Sequence, residues 1–473
     1  MNGGADYDLL ILGGGSAGYN GAATACGLGL SVAVVEGAQE LGGLCILRGC
    51  MPSKTLLESA GRYLTLRRAG EFGLRTGEIG YVLEEIRQRK TALVGEFADY
   101  RAKQLSQGRF DLIRGRARFV NPHTVEVTGA DGAARPVTAR AFLLATGSVP
   151  KKVPVPGLEE IGYRDSDDVL ELREIPKSVI ILGGGATAVE FAHFYNALGV
   201  PVTVIQRGRH LLKAMDVDVS MALEESCRRQ GMTIHTHTEL LRVERSAGGL
   251  KRVIFRHLQE EVAVEAHEIV NALGREPNTA SLALENAGVA MTQGHLSMRP
   301  TQQTGVDHLF AAGDVAGPYE IVHIAIAQAE LAVRNIHRLL KAKEGQPPRL
   351  EEIDYRLRLS AVFGFPEVAM VGLTERELQS ASMPYQVACY PFADHGKALV
   401  AGESDGFVKL LVSEDTREIV GGAVVGAHAS ELIHEIVVAM RFRATAADLL
   451  AIPHYHPTLS EIWTYPAEEL AEN

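Results

Sequence analysis

Cysteine is scarce in this chain, with five in 473 residues, too few and too scattered for a disulfide scaffold. No signal-peptide pattern opens the sequence, so a reducing cytosol is the expected setting. There a disulfide is more often catalytic than structural. Only one tryptophan accompanies 49 glycines, the profile of a soluble α/β protein with many tight strand-to-helix turns. Basic excess is lacking too. A formal charge of −11 argues against nucleic-acid and anionic-membrane partners, which need clustered Lys and Arg. Charge is altogether absent from Leu9 to Val35, a run that a hydropathy window could take for a membrane span. Glycines crowd its first half and it ends in the strand-like Ser31-Val32-Ala33-Val34-Val35. A buried strand–turn–helix–strand accounts for it better than a membrane segment.

What is present begins with a β–α–β pattern. Tyr7 to Leu12 is an apolar strand, Gly13 to Gly18 a glycine turn, Ala17 to Gly27 a small-residue helix and Ser31 to Glu36 a second strand. The pattern returns with Ser178 to Leu182, the turn Gly183-Gly184-Gly185-Ala186-Thr187-Ala188, a helix, and a strand from Val202 to Gln206. Glu36 follows Gly13 by 23 residues (36 − 13), and Gln206 follows Gly183 by 23 (206 − 183). The chain therefore carries an internal repeat of a nucleotide-binding unit. Its length suggests about three domains. Boundaries are expected near residue 150, where Pro150, Pro154 and Pro156 cluster, near Gly274, and within Lys341 to Arg349. Beyond the last, strands at Phe407 to Val412 and Ile419 to Val425 precede a helix from Ser430 to Arg441, an α+β layout with no nucleotide fingerprint.

The first glycine turn suits a pyrophosphate. Gly13 permits the tight turn, Gly15 lets phosphate approach backbone N–H groups, Gly18 allows close helix packing, and Glu36 can accept the hydroxyl hydrogens of an adenosine ribose. In the second turn Ala188 takes the third glycine slot. Gln206 stands where an acid would favour NADH, and Arg207, Arg209 and Lys213 follow. An absent acid among cations favours the 2′-phosphate of NADP over NAD, against the plainer reading of a solvated basic loop.

Cys45 and Cys50, in GGLCILRGCMPSK, run into an expected helix start at Pro52-Ser53-Lys54. Zinc ligation and inert buried thiols, the reading for Cys26, Cys227 and Cys389, compete with a redox role beside a bound cofactor. A helix N-terminus near Cys50, with Lys54 one turn on, favours thiolate. Near the other end, Pro453-His454-Tyr455-His456-Pro457-Thr458-Leu459-Ser460-Glu461 allows a metal site, an ordinary surface loop, or an imidazole acid/base oriented by a carboxylate.

Taken together these motifs resemble the class I pyridine nucleotide-disulfide oxidoreductases, the flavoprotein disulfide reductases, over nearly the whole chain. The dihydrolipoamide dehydrogenase branch is the nearest. GGLCILRGCMPSK resembles the redox-active disulfide motif, Gly13 to Glu36 with Gly43 the FAD site, and Ala145-Thr146-Gly147 a second FAD contact. Gly183, Gly185 and Glu190 resemble the nicotinamide site, followed by Gly274-Arg275-x-Pro277-Asn278. Leu309-Phe310-Ala311-Ala312-Gly313-Asp314 resembles the segment whose Asp binds the FAD ribityl chain. His456-Pro457-Thr458-Leu459-Ser460-Glu461 matches the C-terminal catalytic signature, and Val371-Gly372-Leu373-Thr374-Glu375 the interface domain.

The resemblance implies an α/β fold with two Rossmann-like dinucleotide-binding domains, for FAD and NAD(P), and a C-terminal α+β dimerisation domain. Residues 1–150 and 276–347 would form the FAD-binding domain, 151–275 the NAD(P)-binding domain and 348–473 the interface domain. It implies that NAD(P)H reduces the flavin and the flavin reduces a Cys45–Cys50 disulfide. Cys50 would be the charge-transfer thiolate and Cys45 the interchange thiol that attacks a small-molecule or carrier-bound disulfide. His456, held by Glu461, would be the acid/base for the other subunit's Cys45 in an obligate homodimer. Lys54 and Glu190 would form an ion pair at the flavin, Gln206 and Arg207 would meet the nicotinamide cofactor, and no metal is implied.

Three departures bear on substrate. Leu44 replaces the usual threonine before Cys45, Leu47-Arg48 replaces the usual Asn-Val, and Gly364 stands where threonine is common. Arg48 would put a cation near the disulfide and favour an acidic substrate or carrier. Retention of His456, with no terminal cysteine pair, points away from mercuric reductase. Two alternatives stay in view: an NADPH-linked reductase of another disulfide, persulfide or metal–thiol compound, and a flavin-binding partner or sensor with little turnover.

Overall fold

The run Tyr7–Leu12 forms a strand whose last four residues are buried, and its neighbours on both sides are parallel. Leu9 faces Val32 on one side and Ala141 on the other. In this computed structural model, which describes residues 4–343 and 345–472, the chain divides into two compact units. One comprises Met1–Ser53, Gln88–Lys151 and Arg275–Asp354; the other comprises Lys54–Arg87, Lys152–Gly274 and Tyr355–Asn473.

In the first unit the strands run in the order Asp111–Arg114, Val32–Glu36, Tyr7–Leu12, Ala134–Leu144, with Leu309–Ala311 on the far side of Ala134–Leu144. The strand Ala134–Leu144 serves twice. Its later half pairs in parallel with Tyr7–Leu12, while its earlier half pairs antiparallel with Thr124–Thr128, which in turn pairs with Arg116–Asn121. Helices Ser16–Gly27 and Val322–Lys341 pack against each other. Leu9, Ile11, Val34, Leu143 and Phe310 contribute to the sealed layer between helices and sheet.

The second unit repeats the plan with Thr233–His235, Val202–Ile205, Val179–Leu182 and Glu268–Asn271, all parallel. A three-stranded antiparallel meander spans Thr238–Arg245, Lys251–His257 and Glu260–Ala266. The last part is a five-stranded antiparallel sheet in the order Leu359–Val362, Glu367–Gly372, Ile419–Gly426, Phe407–Ser413, Tyr385–Pro391. The helix Ala429–Arg441 lies on it, and Trp463, fully buried, donates from Nε1 to the Leu432 carbonyl at 3.1 Å. Among the described residues no helix is long and apolar enough to cross a membrane.

The α/β repeat and the α+β C-terminal part match the sequence expectation, with boundary shifts of a residue or two. One shift matters for chemistry. The helix expected to start at Pro52 starts at Cys50 and runs to Arg67, because a proline in the first turn gives up an N–H that has no partner there anyway. A second correction concerns the thiols expected to be buried. Cys227 is buried and its pKa is pushed up to about 12 by desolvation. Cys26 is half-buried, and Cys389 is exposed on the edge strand Tyr385–Pro391.

Candidate active site

Each glycine turn sits at the carboxyl end of its parallel strands, where open α/β sheets hold ligands. Gly13 has φ +109° and a Cβ there would lie 2.3 Å from the Ala145 carbonyl oxygen. Gly183, at φ +116°, faces the Ala272 carbonyl in the same way at 2.2 Å. A side chain at either position would collide with backbone. Gly15 is the N-cap of the helix Ser16–Gly27, and Gly185 that of Ala186–Ala197. Neither start has a side-chain cap or an acid in its first turn, so the leading N–H groups remain for an anion. Glu36 accepts the Gly14 and Ala38 N–H groups, each at 2.7 Å.

These residues fit FAD in the first unit. A Cβ on Gly43 would come within 2.5 Å of the Gly15 Cα, so two bare backbones face each other beside the turn. The Thr146 hydroxyl is buried and has no hydrogen-bond partner, an orphan that a polar ligand would satisfy. Gly147, at φ +69°, carries the chain away from it. Strand Arg275–Pro277 pairs with Ser148–Pro150, and Asn278 donates to the Thr146 carbonyl at 3.2 Å. Arg275 Nε donates to Ser148 Oγ at 2.8 Å, and Ser148 Oγ donates to Asp314 Oδ2 at 2.7 Å. Ser148 thus joins two motifs that lie far apart in the chain. Gly313 donates its N–H to Gln328 Oε1 at 2.8 Å, which holds the segment carrying Asp314.

Cys45 lies on the short helix Gly43–Arg48 and Cys50 opens the next one, with Gly49 as the joint. A Cβ on Gly49 would lie 3.0 Å from the Leu44 oxygen and 3.1 Å from the Cys45 Cα. That close approach folds Gly49 back onto the helix that carries Cys45, one residue before Cys50. No acid lies in the first turn after Cys50, so the helix end stays electropositive beside its sulfur. Arg48 is half exposed and pairs with Glu40 at 3.5 Å. Its charge therefore has a carboxylate partner of its own, which weakens the reading of Arg48 as the cation for an acidic substrate.

A cation that sequence reasoning missed lies elsewhere. Arg101, on the helix Leu83–Leu105, stacks over the Tyr19 ring at 4.3 Å. Its Nε and Nη1 are buried without hydrogen-bond partners. Desolvation lowers its pKa, and the electrostatic influence of Tyr19, then of Cys45, opposes that shift. The electrostatic influence of residue 45 on residue 101 leaves no signature in the linear spacing.

In the second unit Lys54 Nζ donates to both oxygens of Glu190, at 2.8 and 2.9 Å. Gly274 turns at φ +116°, and Gly185 has open space where a Cβ would point, as a nicotinamide cofactor requires. Gln206 donates from Nε2 to the His210 carbonyl at 3.2 Å, while Arg207 and Arg209 are exposed. His456 and His454 turn to different carboxylates. His456 Nδ1 lies 3.0 and 3.1 Å from the two Glu461 oxygens, leaving Nε2 on an imidazole that is 80% exposed. His454 Nε2 reaches Glu435 at 2.6 Å and is mostly buried, so the two rings do not share a metal-facing side. Asp216, Asp218 and Glu375 are spaced like a metal site. The buried Lys409 ammonium sits among them, 3.2 Å from Asp216, 2.8 Å from Asp218 and in contact with Glu375.

Comparison with known proteins finds relatives along nearly the whole chain. Residues 7–329 match the family described as pyridine nucleotide-disulphide oxidoreductase, and residues 359–467 match its dimerisation domain. A dihydrolipoyl dehydrogenase of Bacillus subtilis (strain 168) is 34% identical over 468 residues, covering 96% of this chain and 96% of that protein. A mercuric reductase of Staphylococcus aureus is 34% identical over 447 residues, covering 94% of this chain and 79% of that one. Among solved structures, LpdA of Mycobacterium tuberculosis superposes with a TM-score of 0.85 at 29% identity, covering 98% of this chain and 99% of that one. The HOCl-induced flavoprotein disulfide reductase RclA of Escherichia coli superposes with a TM-score of 0.82 at 26% identity, covering 98% of this chain and 99% of that one.

Proposed function

The chain belongs to the pyridine nucleotide-disulphide oxidoreductase family, and we propose that it moves electrons between NADPH and a thiol/disulfide substrate through Cys45 and Cys50. The observation that supports this reading is a pair of cysteines on consecutive helices joined at Gly49, with Gly43, at the start of the first helix, against Gly15 of a dinucleotide turn. FAD, held by Gly13, Gly15, Gly43, Glu36, Thr146 and Asp314, supplies the two-electron link between nicotinamide and disulfide when bound.

The protein's own groups divide the remaining work. In the reduced pair, the Cys45 thiolate attacks one sulfur of the substrate disulfide and forms a mixed disulfide, releasing one thiolate. Nε2 of His456 delivers a proton to that leaving sulfur, while Glu461 on Nδ1 fixes the tautomer and stabilises the imidazolium. Cys50 then attacks Cys45, closes the internal disulfide and releases the second thiol. Two thiols leave and one disulfide forms in the protein: the first proton comes from the Cys45 thiol by way of His456 and the second from water, so sulfur, protons and electrons balance.

His456 serves the Cys45 of a second copy in this reading. Its outward imidazole supports that arrangement, as do Val438, Phe442, Ile452 and Tyr455, all more than half exposed within the segment that matches a dimerisation domain. NADPH is favoured by the uncharged Gln206 and the exposed Arg207 and Arg209. A reducing cytosol would supply it. The relatives' names make lipoamide the first probe.

Steady-state rates with NADH and NADPH, each against lipoamide and a panel of disulfides, test the reading. Turnover of at least one disulfide is expected, with NADPH preferred. Bound FAD with no turnover on any member would support the partner or sensor reading instead. A long-wavelength band on partial reduction should vanish in Cys50→Ser and persist in Cys45→Ser.

A further inference from the structure

Glu461 lies between two histidines, and only His456 has a role in the reading above. On the opposite side is His395, which has no exposed surface. Its Nε2 is 3.4 Å from Glu461 Oε1. Neither ring nitrogen of His395 has a hydrogen-bond partner, and an imidazole so placed is costly unless it interacts with something nearby. The backbone fixes its place. The His395 N–H donates to the Phe392 carbonyl at 3.1 Å, and its carbonyl accepts from Leu399 at 3.0 Å. The groups that face the ring are Glu461 and His456, from the segment around the short turn Ser460–Trp463, and the Tyr465 ring, perpendicular to it with centroids 6.1 Å apart.

Two imidazoles on one carboxylate cannot both use its full charge. A protonated His395 would neutralise Glu461 and repel an imidazolium at 456. A neutral one does neither, and its Nε2–H can point at Oε1 while Nδ1 of His456 takes the outer side. Burial lowers the His395 pKa, whereas Glu461 acts the other way, so the desolvated site keeps the ring neutral.

We propose that His395 is a positioning residue for the acid/base pair: as a neutral imidazole it holds Oε1 of Glu461 from the buried side and keeps the carboxylate turned toward Nδ1 of His456. This rests on the reading of His456–Glu461 as the acid/base. It gives Glu461 two supports in place of one, and reserves its charge for the imidazole that moves protons.

The test uses the FAD-loaded protein and the half-reaction with dihydrolipoamide, followed by rapid mixing across pH. His395→Leu removes the donor, His395→Gln returns an N–H near the Nε2 position, and Glu461→Gln is the reference. His395→Leu is expected to slow the half-reaction about tenfold and to move the pH-profile limb that Glu461→Gln moves, in the same direction and by about half a unit. Reduction by NADPH should be unaffected, and His395→Gln should recover most of the rate. The proposal is overturned if Glu461→Gln moves the limb while His395→Leu does not, or if the Gln variant behaves like the Leu variant. An unmoved limb in Glu461→Gln would instead defeat the acid/base reading, and this proposal with it. Should the Leu variant not fold, nitrogen-resolved NMR of selectively labelled histidine in the unmodified protein decides. A neutral, Nε2-protonated His395 at about pH 7 is expected, and an imidazolium there would overturn the proposal.

Discussion

Lys54 and Glu190 form a two-pronged ion pair, with Nζ 2.8 and 2.9 Å from the carboxylate oxygens and 4.7 Å above the Phe363 ring. The Phe363 N–H also donates to Glu190 at 3.1 Å. The carboxylate is almost wholly buried while the lysine side chain keeps a third of its surface, so the pair is a buried acid held by a cation that reaches in from water. Lys54→Met keeps the stem and removes the charge. It should cost about 2 kcal/mol, read as a lower thermal midpoint, and it should slow reduction by the nicotinamide more than reduction by a dithiol.

Mixing two inactive variants tests whether His456 acts across the dimer. A Cys45→Ser protomer paired with a His456→Ala protomer keeps one site of two intact only if each site combines groups from both chains. Refolded or exchanged mixtures should regain about a quarter of the original disulfide turnover, since half the dimers are mixed and each has one working site. Activity that stays at the level of the separate variants would place both groups in the same chain.

Much of the candidate site was legible because its information is local. The glycine turns need only a few consecutive residues with unusual backbone, and Gly13 and Gly183 show the same carbonyl contact in both repeats. A helix start close to Cys50, expected two residues later than it falls, and the His456–Glu461 spacing are also short-range. Ser148, Arg101 and His395 were not legible, because each acts through a partner from a distant segment. Ser148 joins Arg275 to Asp314, and nothing in Gly147-Ser148-Val149 announces that. Lys409 did carry a faint signal, a lysine inside the apolar strand Phe407–Ser413. Such a residue must find acids or lose its charge.

The acids found by Lys409 make a further prediction. Lys409→Met leaves Asp216, Asp218 and Glu375 facing one another without a cation, and should cost about 3 kcal/mol, allowing for the partial exposure of Asp218 and Glu375. Millimolar calcium should then raise the thermal midpoint of the variant and leave the parent unchanged. Equal responses in the two proteins would show that the carboxylates do not form the cluster described.

A pH effect on stability follows from His193. The ring is buried, its Nδ1 lies 2.9 Å from the Val189 carbonyl, and desolvation lowers its pKa to about 4. In the unfolded chain the imidazole titrates near about 6.5. Between those values the unfolded state holds a proton that the folded state lacks, so stability falls as pH falls through the window. The full effect is about 3 kcal/mol. Urea midpoints of the parent and His193→Leu, measured from about pH 7.5 down to about pH 4.5, should converge as the parent loses its advantage. Parallel curves would remove His193 from the explanation.

The same ring has a bearing on how this chain can exchange parts with its relatives. A Cβ at Gly364 would sit 2.7 Å from His193 Nδ1 and 2.9 Å from the Pro366 oxygen, so the threonine common at that position elsewhere in the family has no space here. The two positions are far apart in sequence but share one space. A chimera that imports the 359–367 segment from a threonine-bearing parent meets the His193 ring on helix Ala186–Ala197, and a smaller residue at 193 in the same step relieves that contact.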